Sequence, residues 1–485
     1  MSLLIMKIQR RHRQVMRSTL TEQNKKGTTS MACLLSNKLA RFSIGSRARA
    51  SRGRALFRLL MFCLVVNQST NALASEARAT ESRLTARAAV LVALDDNPSL
   101  AAMQHRYEAL QEVPSQVGSL PDPMVNINAM NFPTDSFDRD QEGMTQLQLG
   151  FSQVFPFPGK LDLKEEAATF DAIAAGYSVD EMRVRLANSV RTTWWQIHYL
   201  DRALETLEKN KELLRQFIAV AKTKYETGKG LQQDILLAQL ELSKFIDQGI
   251  KLEALRKHQS IQLNTLMDRP ASNNVVLAVI DPTAMPDILS ETELFEIADE
   301  ARPTLKQKET QVEAAQSRLE LAKKDRYPDF KLGVMYGERT GDNPPFMGGS
   351  RADLLSVMIG AKIPIYSGRK QSRAISQKTA ELAKNRYALI DEKGVVRAAI
   401  AAATTDYQRA QEQNKLFSKG IIPQAEQTVQ SMLAAYQVSE VDFLNLVRSQ
   451  MTLFNYELRY WKSVSEANQA LSRLEAAVGK GSIYE

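Results

Sequence analysis

Between Lys160 and Glu226 the sequence contains no proline and a single glycine, Gly176. Nothing in that stretch stops a helix. At a rise of about 1.5 Å per residue, one uninterrupted helix over it would be on the order of 100 Å long. That excludes an ordinary compact domain, whose helices average about a dozen residues. Cysteine is nearly absent too: Cys33 and Cys63 both fall in a leader that reads as removed, so disulfides and thiolate metal sites are excluded from the rest. Histidine is scarce; His105, His198 and His258 have no partner at ligand spacing, and His198, following Trp194-Trp195-Gln196-Ile197, reads as a packing or surface residue rather than a ligand. Gly341-Asp342-Asn343-Pro344-Pro345 is turn chemistry, and no phosphate-cradling glycine loop opens a helix. The expectation is a chain with no catalytic residues, no resident metal and no cofactor.

Residues 1–74 are a chain of another kind. They hold fourteen Lys/Arg against one acidic residue, Glu22, so of the formal +8 the leader carries +13 and the remainder −5. Basic residues up to Arg58, the apolar run Leu59-Leu60-Met61-Phe62-Cys63-Leu64-Val65-Val66 and the small-residue site Ala72-Leu73-Ala74 together read as a secretory signal peptide. The run is far short of the ~20 residues a spanning helix needs. Such an apolar core and cleavage site also argue against a basic nucleic-acid arm. Small residues do not precede Cys63, so a lipoprotein anchor is not expected. The basic extension ahead of Arg41 is long for a signal and points to Met31 as the start.

What is present in Lys160 to Glu226 is a seam. Leu186, Val190, Trp194, Ile197, Leu200, Leu204 and Leu207 recur at steps of four and three, resuming at Leu214, Ile218, Ala221 and Tyr225. The spacing alone fits a bundle core equally well; the length favours a coiled coil.

After the leader the chain says nearly everything twice. Asn97-Pro98-Ser99-Leu100 returns as Arg302-Pro303-Thr304-Leu305, and Leu120-Pro121-Asp122-Pro123 as Tyr327-Pro328-Asp329-Phe330. Val154-Phe155-Pro156-Phe157 returns as Lys362-Ile363-Pro364-Ile365, followed by Gly159-Lys160 and Gly368-Arg369 respectively. Tyr225-Glu226-Thr227-Gly228 returns as Tyr436-Gln437-Val438-Ser439, and Gln239 as Gln450. Two structural repeats follow, 75–285 and 286–485, each ordered helix, strand, strand, long helix, turn, return helix. The first return helix is expected over Leu231 to Met267 and the second up to Val478-Gly479, with its seam at Leu444, Val447, Met451, Phe454, Leu458 and Trp461. Val275 to Leu289 reads as an irregular connector, and Gly420 with Pro423 as an interruption of the second long helix.

Four segments alternate with the period of a strand: Met124 to Met130, Gln146 to Ser152, Phe330 to Tyr336 and Leu355 to Ile363. Each has one apolar face and one polar or small face, and polar loops join them, which suits a membrane β-barrel. A soluble hairpin fits each strand singly, but no large apolar domain remains for four of them to cover. Four strands cannot close a membrane barrel, whose smallest examples have about eight, and lipid does not tolerate an open edge. The barrel must therefore be shared between subunits.

On these residues the chain resembles the TolC-type outer-membrane efflux channels. The resemblance is carried by Gln153-Val154-Phe155-Pro156-Phe157-Pro158-Gly159-Lys160, by Tyr225-x-x-Gly228 with Asp234-Ile235-Leu236-Leu237-Ala238-Gln239, and by Tyr436-x-x-Ser439-Glu440-Val441-Asp442-Phe443-Leu444. With Ile422-Pro423-Gln424-Ala425-Glu426, these are more similar to the heavy-metal and cation efflux members than to the multidrug ones. The resemblance implies an α+β membrane protein: a homotrimer giving four strands per protomer to one barrel, with a long periplasmic helical coiled-coil barrel below it. It implies a passive exit duct in the Gram-negative outer membrane that docks a periplasmic adaptor and an inner-membrane pump, without nucleic acid. The candidate gate is Tyr225, Gly228, Asp234, Tyr436, Glu440, Asp442 and Asn445; the barrel-to-helix corners are Pro156, Pro158, Gly159, Pro364 and Gly368. Asp234 matches an acidic position near the constriction and Tyr436 a tyrosine of the gate network. The sequence departs from the pattern at Asn445 and Arg448, where some members are acidic, and at Val441, where some carry arginine; Glu440 and Asp442 are the candidate substitutes. The readings left open are a periplasmic coiled-coil adaptor or spacer with a soluble β domain and, within the channel reading, metal or cation efflux, drug efflux and type I protein secretion.

Overall fold

A computed structural model describes residues 83–280 and 285–480. The leader, and with it the signal peptide, lies outside the described residues. Three short helices come first: α1 Ala86–Asp96, α2 Pro98–Gln111 and α3 Val113–Gly118. Asn97 caps α2 through its Oδ1, which accepts from the backbone N–H of Ser99 and Leu100, with Pro98 in the first turn where a missing N–H costs nothing. Then come β1 Met124–Met130, β2 Gln146–Phe155, the helix α4 Lys160–Glu226 and its return helix α5 Gln232–Leu266. The second half repeats the order with α6 Glu291–Ala301, α7 Pro303–Lys324, β3 Asp329–Glu338, β4 Leu354–Lys362, α8 Gln371–Leu416, α9 Ile422–Gln437 and α10 Phe443–Val478.

α4 runs 67 residues without a break, as the missing prolines predict. Its counterpart is divided. A π turn, Phe417–Ile421, separates α8 from α9, with Pro423 in the first turn of α9. Proline has no N–H to give the carbonyl four residues back, and a local π turn absorbs that mismatch while the chain stays helical. The expected interruption is therefore one of hydrogen-bond pattern rather than of direction.

Among the described residues the helices pack around four apolar clusters, the smallest holding α7 to α8 through Ala315, Leu319 and Leu382. One joins α1 to α4 and α5 through Val90, Trp194, Ile197 and Leu263; a second joins α6, α8 and α10 through Leu294, Ile400, Tyr407 and Leu474. The third gathers Leu214, Phe217, Phe245, Phe443 and Phe454 near the tips. The seam of α4 ends differently from expectation. Phe217 is buried and Tyr225 exposed: the buried residues keep a seven-residue spacing, Leu200, Leu207, Leu214 and Ala221 with Ala203, Asn210 and Phe217, which falls on Phe217 rather than its neighbour Ile218. In α10 the buried face is Phe443, Leu446, Val447, Gln450, Leu453 and Phe454, leaving the expected Leu444 exposed.

The four strands form one antiparallel sheet in the order β1-β2-β3-β4. Its two faces are inverted relative to a water-soluble protein. Ile127 and Ile359 are 73% and 75% exposed, and Leu149, Phe151, Val334, Leu355 and Val357 on the same face are exposed as well. On the opposite face Gln146, Gln148 and Ser152 are buried. The register explains the grouping, since Ile127 pairs with Leu149, Leu149 with Tyr336 and Tyr336 with Leu355.

The two corners between sheet and long helix are built differently. At the first, Gly159 takes a left-handed φ of 81° as the cap of α4, between the rigid Pro156-Phe157-Pro158 and the helix. Phe157 stacks on Tyr327 at 4.5 Å, and buried Lys160 donates through Nζ to Asp329 at 2.8 Å and to the Tyr327 carbonyl at 3.1 Å. At the second, residues 365–370 form turns, Pro364 is half-buried, and Gly368 is exposed and outside the left-handed region.

Candidate gate at the helical tips

Both long helices end in the same turn. In the first, the N–H of Gly228 donates to the Tyr225 carbonyl at 3.0 Å and that of Lys229 to the Lys224 carbonyl at 2.8 Å. In the second, Ser439 donates to Tyr436 at 3.1 Å and Glu440 to Ala435 at 2.9 Å. This pair of bonds satisfies carbonyls left open by a helix end and needs one residue of positive φ. Gly228 supplies it at 71° without cost. Ser439 adopts 65°, a conformation that costs a non-glycine residue roughly 1 kcal/mol.

A side-chain network crosses between the turns. Lys224 of α4 donates through Nζ to the Tyr436 carbonyl and to Ser439 Oγ, the latter at 2.8 Å. The same ammonium lies over the Tyr436 ring, 4.4 Å from its centroid. Tyr436 in turn donates its hydroxyl to Asp234 Oδ2 at 3.2 Å, in the first turn of α5, and its ring meets Phe443 at 5.1 Å. Burial, and secondarily the Asp234 carboxylate, push the Tyr436 hydroxyl up to about 12, so it stays a neutral donor. Three elements, α4, α5 and α9, are thereby tied through one tyrosine.

Of the residues expected here, the structure brings Asp234 and Tyr436 into contact and places Gly228 in the turn. Asp442 lines the same cleft, of about 740 Å³, without a side-chain hydrogen bond among the described residues. Glu440 and Asn445 are exposed, and Tyr225, the repeat equivalent of Tyr436, points away at 47% exposure against 4%. Lys224 was not anticipated. The signal was there: it precedes Tyr225, while Ala435 stands at the matching place before Tyr436. His198 is a packing residue in α4, between Trp194 at 5.7 Å and Trp461 at 6.2 Å; burial, with the Arg202 charge, lowers it to about 4.

A family model described as outer membrane efflux protein matches residues 89–268 and again 294–480. The chain belongs to that family. Membership places it in the outer membrane of a Gram-negative cell with a periplasmic extension, in a family of transport ducts rather than enzymes. Solved structures share its fold at low identity. The outer-membrane channel OprN is 17% identical with a TM-score of 0.70, over 82% of this chain and 90% of that one. CusC, described for the conformational changes of folding and transmembrane channel formation, is 15% identical with a TM-score of 0.69, over 82% and 92%. The outer membrane protein VceC of Vibrio cholerae is 18% identical with a TM-score of 0.67, over 82% and 96%. At such identities the likeness is one of fold. No curated protein matches the sequence. Among the described residues no helix is long and apolar enough to cross a membrane, and no cluster of His, Cys, Asp and Glu is arranged to hold a metal.

Proposed function

We propose that three copies of this chain share one transmembrane β-barrel and form a passive exit duct for a tripartite efflux system, delivering metal cations or small molecules. The observation that carries this reading is the inverted sheet. A four-stranded antiparallel sheet with its aliphatic residues outward and its glutamines inward, open at the edges of β1 and β4, is stable in lipid only when neighbouring sheets close it. A soluble β domain on a coiled-coil adaptor would bury the opposite face. The helices beneath extend the conduit toward a periplasmic adaptor and an inner-membrane pump.

The tip network serves in this reading as a latch. Closing needs the second-repeat turn held against the first, and the Lys224–Tyr436–Asp234 contacts do that within a protomer. Where Val441 leaves the second repeat without an arginine, Lys224 of the first supplies the cation. Three copies of Asp234 and Asp442 around the axis concentrate negative potential at the constriction. The gate roles of Tyr225, Gly228, Asp234, Tyr436, Glu440, Asp442 and Asn445 are part of this proposal, as is the division into 1–74, 75–285 and 286–485.

Single-channel conductance of the detergent-purified protein in a planar bilayer, with oligomer mass measured on the same sample, tests the reading. Brief, mostly closed, cation-selective openings from a trimer are expected. A monodisperse soluble protein without conductance sinks the barrel and returns the coiled-coil spacer.

A further inference from the structure

The duplicated corner has diverged in its charges. Lys160 and Arg369 occupy equivalent places after Gly159 and Gly368, yet Lys160 is buried against Asp329 and the Tyr327 carbonyl, while Arg369 is exposed. Arg369 is followed by Lys370 and Arg373, also exposed, and among the described residues no hydrogen bond or ion pair engages any of these three side chains. Arg369 and Lys370 end the turn that leads into α8, and Arg373 lies in the first turn of that helix, so the three cations stand within five residues of one another at the corner.

Directly before them the apolar outer face of β4 runs out. Leu355, Val357 and Ile359 continue into Ile363, Ile365 and Tyr366, all largely exposed. An aliphatic band that ends in a tyrosine and then in three uncompensated cations has the order met in passing from hydrocarbon to phosphate headgroups. We propose that the corner of Ile365, Tyr366, Arg369, Lys370 and Arg373 is a binding site for an anionic glycerophospholipid of the periplasmic leaflet. Ile365 and Tyr366 meet the acyl region, and the guanidinium and ammonium groups meet the phosphate. The inference rests on the barrel reading and adds to it a fixed lipid partner on the second-repeat side alone. At the first corner the equivalent lysine, Lys160, is neutralised internally by Asp329 and Asp325.

The test is native mass spectrometry of the full-length channel titrated with phosphatidylglycerol or phosphatidylcholine. Phosphatidylglycerol is expected to bind about tenfold more tightly, a preference that fades as salt is raised because the Debye length shrinks. Combined Arg369→Gln, Lys370→Gln and Arg373→Gln brings the ratio close to one, whereas Arg369→Lys with Arg373→Lys preserves it. Equal affinities in the unaltered protein, or an unchanged preference in the triple variant, overturn the proposal. Dissociation of the trimer in both the neutralised and the charge-conserving variants also overturns it, by assigning the corner to a second copy of the chain. A protein that never inserts into phosphatidylglycerol–phosphatidylcholine vesicles removes the barrel reading itself, and the lipid site with it.

Discussion

The two tip turns repeat the same backbone hydrogen bonds and differ in everything attached to them. Tyr225 is exposed where Tyr436 is buried, Gly228 is relaxed where Ser439 is strained, and Lys224 reaches across where Ala435 cannot. Gln450 donates to Asn210 at 2.6 Å inside the helix pair, whereas its equivalent Gln239 is exposed. Duplication supplied two copies of one scaffold. The copies then divided the work: the first repeat is continuous and provides the cation, and the second, broken by its π turn, carries the tyrosine that is held.

The tyrosines give the sharpest way to break this comparison. Truncating a buried aromatic side chain costs about 3–5 kcal/mol, so Tyr436→Ala should lower heat stability markedly and leave channels open for much of a bilayer recording. Tyr225→Ala should change stability by no more than about 0.5 kcal/mol. Equal losses would mean that Tyr225 is covered in the proposed trimer and that the asymmetry belongs to the isolated protomer. Next in size are the partners of Tyr436. Lys224→Met and Asp234→Ala each remove a charged hydrogen-bond partner, an effect of about 1.5 kcal/mol or roughly tenfold in the closed-to-open ratio, with assembly intact. Asp234→Ala should also relieve block of the pore by multivalent cations; unchanged block would remove Asp234 from the constriction.

Much of this was legible in the sequence, and for identifiable reasons. The long helix was visible because proline and glycine are missing from it, and the strands because a period of two survives any tertiary context. The family could be recognised because Pro156, Pro158, Gly159 and Gly228 are demanded by backbone geometry rather than by packing. The Lys224 bridge was not legible, since a lysine on a helix reads as solvated until its partner's position is known. The seams at Tyr225 and Leu444 differ from the structure by one residue, because adjacent apolar pairs such as Phe217-Ile218 and Phe443-Leu444 satisfy steps of three and four equally well. Nothing in the sequence announced that Lys160 would be buried while Arg369 would stay bare.

Backbone strain gives a smaller contrast. Gly228→Ala should cost about 1 kcal/mol, since alanine must enter the left-handed region that Ser439 already occupies. Ser439→Gly should relieve a similar amount but forfeit the 2.8 Å bond from Lys224, leaving stability nearly unchanged. Differential scanning calorimetry separates the two, and a clearly stabilised Ser439→Gly would show that the Lys224 bond contributes nothing.

The smallest effect is expected in alkali, and its sign follows from the proton balance. The Tyr436 hydroxyl is pushed from 10 to about 12 in the folded chain, so between those values the folded state holds a proton that the unfolded state has released. Stability from this group is complete below pH 10 and falls as pH rises toward 12. Tyr436→Phe keeps the ring against Phe443 but has no proton to lose, so its unfolding midpoint should decline less steeply over that window. It should also be lower at neutral pH by about 1 kcal/mol for the lost Asp234 bond. The curves of Tyr436→Phe and the parent therefore converge in alkali. Curves that stay parallel instead would show that the Tyr436 hydroxyl is not held protonated by burial and the Asp234 carboxylate, and would take the Tyr436–Asp234 contact out of the proposed latch.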